Sequence, residues 1–221
     1  KDFRMQSDAW IFDLDETLVA SAGFWREAID SVAARLGGRL DPAIWAACKG
    51  RNVFGLGELL RDCIDPSADA VATGLAIREA LLGNWRTGAV LPMPGIPGLL
   101  DRIGANVPLA VASGSPAEAI AIALDRLGWK GRFRATVSTE EVRRGKPHPD
   151  VFLEAARRLG VDPAVCVVAE DSPAGAAAAL AAGMRCVVVP SVPPAEFAGL
   201  DVTLPGGWDE WPPLRTRADA P

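Results

Sequence analysis

The chain has 221 residues, of which 49% are hydrophobic, and its formal net charge is −5. This length allows one large domain or two modest ones. No apolar run reaches the roughly 18 residues that a membrane span needs. The acidic balance, without a dense basic cluster, argues against nucleic acid as a partner. The four cysteines lack zinc-ligand spacing, so we expect free thiols in a reducing cytoplasm. The start of the chain shows no signal-peptide pattern.

The first predicted element is a buried strand over residues 9–12, followed by two acids, Asp13 and Asp15. Strand alternation places both carboxylates on the same side. Two carboxylates that close repel each other, so a cation or a shared proton must offset the repulsion. This pair alone leaves two interpretations open, a plain turn and a metal or catalytic site.

Residues 20–88 contain apolar positions at helical spacing and no convincing strand. Gly37 and Gly38 end the first predicted helix. Asp41 and Asp65, each followed by proline, are predicted as N-caps of further helices. We therefore predict a helical cap domain over 20–88 and an α/β catalytic core formed by 1–19 and 89–221.

The rest of the chain alternates between apolar strands and helices. The predicted strands cover 107–112, 134–137, 165–169 and 185–189, and the predicted helices cover 116–127, 149–159 and an alanine-rich stretch before the last strand. Such runs indicate a parallel sheet covered on both faces. The expected fold is a doubly wound, Rossmann-like α/β domain with its ligand site beyond the carboxyl ends of the strands.

Polar residues follow four of the predicted strands and suit phosphoryl transfer. A carboxylate can attack phosphorus and form a covalent intermediate. Mg²⁺ prefers oxygen ligands, for which Asp13 and Asp171 are the obvious donors. Lys146 would neutralise a phosphoryl oxygen, and Ser113 with the following amides, including that of Gly114, would bind the others. Ser115-Pro116-Ala117-Glu118 is predicted to form a capping box at the start of the next helix.

These segments together resemble the four motifs of the haloacid dehalogenase superfamily, and the helical insert resembles the small cap of its β-phosphoglucomutase-like branch. The motifs are Phe12-Asp13-Leu14-Asp15-Glu16-Thr17-Leu18, Ala112-Ser113-Gly114-Ser115, Gly145-Lys146-Pro147 and Glu170-Asp171-Ser172-Pro173-Ala174-Gly175. The resemblance implies that Asp13 is the nucleophile and Asp15 the general acid and base. It also implies a Mg²⁺ site formed by Asp13, the backbone carbonyl of Asp15, and Asp171 with help from Glu170.

Two positions depart from that branch. Glu16 replaces a glycine that the branch commonly has, and Ala20 stands where it often has aspartate. Members with dehalogenase activity usually lack the second aspartate, so Asp15 favours phosphate over halide chemistry.

The segment Lys49-Gly50-Arg51-Asn52 resembles the substrate loop of the branch. Lys49 or Arg51 could reach a second anionic or hydroxyl-rich end of the substrate, although a solvated basic turn is the alternative. Trp25 lies near the position where mutases of the branch place a histidine. The only histidine here is His148, which favours a hydrolase. Trp25 and Trp45 are predicted to be cap core or, alternatively, an apolar wall over the substrate.

The sequence thus predicts a Mg²⁺-dependent phosphatase that hydrolyses a small phosphorylated metabolite, such as a sugar phosphate, through an aspartyl phosphate. A phosphomutase is the first alternative, followed by a 2-haloacid dehalogenase and a non-catalytic binding module. We expect a monomer or weak homodimer that binds neither nucleic acid nor membrane.

Overall fold

The computed structural model describes residues 9–48 and 51–210, and its centre is a five-stranded, entirely parallel sheet. The strands are β1 (Ala9–Phe12), β2 (Leu109–Ser113), β3 (Ala135–Ser138), β4 (Cys166–Glu170) and β5 (Arg185–Val188). Their spatial order is β3-β2-β1-β4-β5. The chain therefore places β2 and β3 on one side of β1, and then β4 and β5 on the other side. The point where this direction changes is where open α/β sheets place their ligands.

In the described residues, five helices lie between β1 and β2; the first four form one group, and the fifth belongs to a second group with the three helices that follow later strands. The first group is α1 (Ala22–Arg35), α2 (Pro42–Cys48), α3 (Val53–Cys63) and α4 (Ala70–Thr87). The second is α5 (Ile96–Ile103), α6 (Ala117–Arg126), α7 (Asp150–Leu159) and α8 (Pro173–Ala181). We call α1 to α4 the cap and the sheet with α5 to α8 the core. The predicted doubly wound fold with a helical insert after the first strand is confirmed.

Alternation along β1 divides the core into two apolar layers. Trp10 and Phe12 pack into a cluster with residues of α5 and α6, whereas Ala9 and Ile11 pack with residues of α7 and α8. All four side chains are fully buried. A strand that is buried on both faces reads as a continuous apolar run, which is why the sequence predicted it well.

The cap has an apolar cluster of its own, which includes Ile29, Val32, Leu56, Leu60 and Ile77. Helices α3 and α4 approach each other closely at Gly57, where an added Cβ would overlap the carbonyl oxygen of Ala70. None of the helices in the described ranges is long and apolar enough to cross a membrane. The exact domain boundaries at residues 20 and 88 stay a prediction.

Of the predicted helix starts in the cap, one is confirmed and one is wrong. Asp41 caps α2 by accepting the backbone N–H of Ile44 at 2.8 Å. Asp65 instead accepts both the N–H and the hydroxyl of Ser67, and no helix follows. Because Ser67 lies two residues on, it closes a local turn. The next helix, α4, is capped by Asp69.

The predicted capping box at Ser115 is also wrong. Helix α6 begins after Pro116, which provides no side-chain cap. The hydroxyl of Ser115 donates to Asp15, and Glu140 accepts the N–H of Ala117 at the helix start. Glu118 forms an ion pair with the cap instead of reaching back to its own helix. The side chains of this segment therefore serve contacts between elements rather than the helix end.

Candidate active site

The three central strands deliver polar groups to one edge of the sheet. Asp13 follows β1, Ser113 ends β2 and Glu170 ends β4. The backbone N–H of Asp13 still donates to Ala169 of β4 at 2.9 Å, so the loop after β1 leaves the sheet at a fixed point. Lys146 reaches the same edge from the loop between β3 and α7.

Lys146 joins the first, third and fourth motifs through a buried ion-pair network. Its Nζ lies 2.5 Å from Oδ1 of Asp13 and 2.6 Å from Oε1 of Glu170. The three side chains are at most 9% exposed. Burial opposes the charge on Lys146, but the charges of Asp13 and Glu170 outweigh it and raise the pKa of the ammonium above its usual value. Lys146 therefore carries a positive charge that two carboxylates share.

The site nevertheless holds more acids than Lys146 can neutralise. Burial, together with the charges of Glu170 and Asp15, raises the pKa of Asp13 to about 8 although Lys146 opposes the rise. Burial and the charges of Glu170 and Asp13 also raise the pKa of Asp171 well above its usual range. Such an excess of buried negative charge is stabilised by a cation.

Glu170 is held by its own loop. Its Oε2 accepts the N–H groups of Asp171 and Ser172 at 3.0 Å each and the Ser172 hydroxyl at 2.9 Å. Burial raises the pKa of Glu170, but Lys146 and these donors outweigh that effect and lower it. Glu170 thus remains an anion whose contacts fix Lys146 beside Asp13.

The donor set fits Mg²⁺ that binds with substrate. Within residues 9–48 and 51–210, no three acidic, histidine or cysteine side chains form a ready metal cage. Mg²⁺ usually takes only one or two carboxylates and completes its shell with substrate phosphate and water. Asp13 and Asp171 supply two such carboxylates in surroundings with excess negative charge, while Glu170 is engaged by Lys146 and backbone amides.

Asp15 accepts hydrogen bonds from four side chains. Its Oδ1 receives the Ser21 hydroxyl at 2.6 Å and the Trp25 indole N–H at 2.8 Å, both from the start of the cap. Its Oδ2 receives the hydroxyls of Ser113 at 3.2 Å and Ser115 at 2.7 Å, both from the core. Each oxygen of the carboxylate thus has two donors, so Asp15 is held from the cap side and from the core side.

Glu16 has a structural role that explains its departure from glycine. Its φ of 57° lies in the left-handed region, which glycine adopts most easily. Its Oε1 accepts the backbone N–H groups of Ser21 and Ala22 at 2.8 Å each. The glutamate therefore satisfies the open amides at the start of α1, where a negative charge is also favoured by the helix dipole.

A cavity of about 240 Å³ lies between the cap and the core. Asn52 and Phe54 line it from the cap, and Gly114, Thr139, Glu140 and Arg143 from the core. Gly114 thus lies on the cavity wall, next to Ser113.

The two basic residues predicted for substrate binding, Lys49 and Arg51, stay predictions. Lys49 lies outside the described residues. Arg51 is exposed, and its Nε donates to the carbonyl of Ala47 at 2.9 Å, so it caps α2. Asn52, the next residue, lines the cavity and caps α3 through the N–H of Gly55.

Ion pairs and hydrogen bonds bridge the cap and the core, and one of the ion pairs includes Glu140 of the cavity wall. Arg78 of α4 lies 2.7 Å from Glu140, and Arg86 lies 2.6 Å from Glu118 of α6. In the opposite direction, Arg126 of α6 donates to the carbonyl of Gly88 at 2.6 Å. These groups are partly exposed, so each pair contributes little stability by itself, but together they orient the cap on the core.

Sequence reasoning missed three of the four groups that hold Asp15, namely Ser21, Trp25 and Ser115. One signal could have found Ser115, since it stands two residues after Ser113 at the same strand end. Ser21 gave no such signal, and Trp25 was noted only for its place near the mutase histidine and as an apolar residue, not as a donor to Asp15. Trp25 is part of the apolar helical pattern, which conceals the hydrogen-bond donor on its ring.

The profile of the family described as haloacid dehalogenase-like hydrolase matches residues 8–183 of the chain. The chain belongs to this family. Fructose-1-phosphate phosphatase YqaB of Escherichia coli (strain K12) is 34% identical to this hydrolase over 183 residues, which are 81% of the chain and 94% of that protein. The match to bifunctional riboflavin kinase/FMN phosphatase of Arabidopsis thaliana is 45% identical over 103 residues, and covers 46% of the chain but only 27% of that protein.

Among solved structures, the chain resembles CbbY from Rhodobacter sphaeroides, crystallised in complex with phosphate. The TM-score is 0.81 at 26% identity, and the match covers 97% of this chain and 99% of the other. The predicted superfamily and the prediction of a phosphatase-type hydrolase are confirmed. The roles of the individual site residues stay predictions.

Proposed function

We propose that this haloacid dehalogenase-like hydrolase is a Mg²⁺-dependent phosphatase that acts on small sugar or polyol phosphates through an aspartyl phosphate. The observation that carries the proposal is the buried contact of Lys146 with Asp13 and Glu170, beside the acids Asp15 and Asp171. A positive group beside a buried carboxylate, at the strand ends where the chain reverses direction, suits attack of that carboxylate on an anionic substrate.

In the first half-reaction, a carboxylate oxygen of Asp13 attacks phosphorus and the bond from phosphorus to the leaving-group oxygen breaks. Asp15 gives its proton to that oxygen, which leaves as an alcohol. Lys146 binds a phosphoryl oxygen and offsets the charge that develops there. Asp13, Asp171 and the backbone carbonyl of Asp15 would hold Mg²⁺, which supplies further positive charge against the repulsion between carboxylate and phosphate.

In the second half-reaction, ionised Asp15 accepts a proton from water while the water oxygen attacks phosphorus. The bond between Asp13 and phosphorus then breaks, so that inorganic phosphate leaves and Asp13 is restored. The four donors around Asp15 support this step because they hold both carboxylate oxygens in place and so orient the group for the proton transfer.

The cavity supports a sugar or polyol phosphate as the substrate. Its polar walls include the amide of Asn52 and the exposed guanidinium of Arg143, which can bind hydroxyl groups. A volume of about 240 Å³ suits a small metabolite rather than a polymer. The relative YqaB is named for fructose 1-phosphate, a substrate of this kind. Lys49 and Arg51 remain candidates for contacts with the substrate.

The test is phosphate release from a panel that contains fructose 1-phosphate, hexitol phosphates, glycerol phosphate and phosphoglycolate, with Mg²⁺ or with EDTA. We expect Mg²⁺-dependent release by the native protein and by Asp125→Asn, an exposed acid that serves as the control, and none by Asp13→Asn. Release unaffected by Asp13→Asn would contradict the proposed nucleophile. Isomerisation of a sugar phosphate without net phosphate release would identify a mutase instead.

A further inference from the structure

The two oxygens of Asp15 are held by different parts of the molecule. Ser21 and Trp25 belong to the start of the cap and bind Oδ1, whereas Ser113 and Ser115 belong to the core and bind Oδ2. Ser113 is also predicted to bind a phosphoryl oxygen, and in that role its hydroxyl turns toward the substrate. The donors on Oδ1 have no such second task.

Trp25 differs from the three hydroxyl donors in chemistry and in rigidity. An indole N–H can only donate, whereas a hydroxyl rotates and also accepts. The Trp25 ring packs against both the apolar cluster of the core and that of the cap. Its N–H therefore points at Oδ1 in a direction set by packing on two sides.

The loop that carries Asp15 also determines where Trp25 stands. Glu16 accepts the first amides of α1, those of Ser21 and Ala22. Trp25 lies one helical turn further along α1, and its backbone N–H donates to the carbonyl oxygen of Ser21. Two consecutive residues of the loop therefore contact the start of α1. Asp15 accepts hydrogen bonds from its side chains, and Glu16 accepts hydrogen bonds from its backbone amides.

We propose that Trp25 is a positioning residue for the general acid and base. Its indole N–H fixes Oδ1 of Asp15, which leaves Oδ2 directed at the core side of the site, where Ser113 lies and where the proton is exchanged with the leaving group and with water. The proposal rests on the proposed phosphatase reaction for its catalytic consequence. The contact itself between Trp25 and Asp15 can be tested without any turnover.

The contact is tested by the indole ¹H–¹⁵N NMR signals of the full chain with Mg²⁺ present. The Trp25 signal is identified by its loss in Trp25→Phe. We expect it to shift in Asp15→Ala, which removes the acceptor, while the signal of Trp45, a partly buried cap tryptophan that stacks with Arg26, stays in place. A Trp25 signal that is the same in the native protein and in Asp15→Ala overturns the proposal.

The consequence is tested by the kinetics of fructose 1-phosphate hydrolysis. Trp25→Phe keeps most of the ring but removes the donor, and should lower kcat roughly 10- to 100-fold with KM changed less than about twofold, because the lost hydrogen bond is to a charged catalytic group rather than to substrate. Trp25→His places an imidazole N–H at the corresponding position of a five-membered ring and should recover most of that loss. Trp45→Phe, the matched control, should keep native kcat.

The outcomes separate the two proposals. Native kcat in Trp25→Phe, or equal losses in Trp25→Phe and Trp25→His, overturns the positioning role while the phosphatase proposal stands. If the native protein with Mg²⁺ releases no phosphate from any substrate of the panel, the proposed function fails, and the NMR comparison alone then decides whether Trp25 holds Asp15.

Discussion

The carboxylate of Glu16 accepts the backbone N–H of Ser21 at 2.8 Å, and so connects the loop after β1 to the first turn of the cap. The same oxygen accepts the N–H of Ala22, and the Ser21 hydroxyl turns back to Asp15. A residue in the left-handed conformation therefore costs backbone energy but stabilises a helix start and orients a catalytic candidate.

These two effects can be separated at Glu16. Glu16→Ala removes the hydrogen bonds to α1 and keeps a side chain in the left-handed region, so it should lower the free energy of unfolding by about 1–2 kcal/mol. Glu16→Gly also removes the hydrogen bonds but relieves about 1 kcal/mol of backbone strain, so it should lie within about 1 kcal/mol of the native protein. Urea unfolding of both variants measures the difference. Equal destabilisation would show that the strained conformation costs nothing here.

The pattern of the sequence was sufficient for the core because its signals are local. Strands such as Ala9–Phe12 are continuous apolar runs, and the acids that follow them must meet at the carboxyl edge of a parallel sheet. The cap was recognised as helical for the same reason. Its helix start at Asp65 was misassigned because Ser67 competes for the same carboxylate, which a rule based on Asp followed by Pro ignores.

Contacts between distant segments could not be predicted in this way. The donors to Asp15 come from residues up to 100 positions away, and their directions depend on how α1 docks on the core. The assignment of Ser115 as a helix cap failed because its hydroxyl is directed at Asp15 in another segment, while Glu140 accepts the N–H of Ala117 at the helix start. The role of Asn52 was not predicted either: it lines the cavity, whereas its neighbour Arg51 donates to Ala47.

Lys146 should be essential for stability as well as for activity. Lys146→Met keeps the length and apolar contacts of the side chain but leaves Asp13 and Glu170 buried without their shared cation. We expect the free energy of unfolding to fall by about 3–5 kcal/mol, because removing one partner leaves buried charges uncompensated. The matched control is Lys130→Met, in which the replaced lysine is exposed. If both variants unfold at the same urea concentration, the network does not stabilise the fold.

The raised pKa of Asp13 predicts how stability depends on pH without Mg²⁺. In the unfolded chain Asp13 titrates near 3.8, and in the folded protein near pH 8. Between these values the folded state binds more protons, so stability should fall as pH rises, and Asp171 acts in the same direction. Glu170 acts in the opposite direction, because its pKa in the folded protein is lowered from 4.5. Above pH 6 it is ionised in both the folded and the unfolded state, so it does not change the stability between pH 6 and 8.

Thermal unfolding in EDTA between pH 6 and 8 measures this dependence. We expect Tm to fall by about 5 °C or more across that range in the native protein and by less in Asp13→Asn. Mg²⁺ should raise Tm most at pH 8, since both carboxylates must lose their protons to bind it. If the pH dependence of Tm in EDTA is the same in the native protein and in Asp13→Asn, Asp13 is already ionised in the folded protein at pH 6.

Gly175 should be required at the start of α8 because Glu170 occupies the space beside it. A Cβ at this position would overlap the carboxylate of Glu170, which is fully buried and contacts Lys146. Gly175→Ala should therefore destabilise the protein by about 3 kcal/mol and abolish phosphate release, because displacement of Glu170 also releases Lys146 from its position.

Gly83→Ala is the matched control, since that glycine lies within α4 with no atom within 4 Å of an added Cβ, and it should stabilise the protein by about 0.5–1 kcal/mol. Urea unfolding and phosphate release of the two variants measure the contrast, and an active, stable Gly175→Ala protein would show that Glu170 can move without disturbing Lys146.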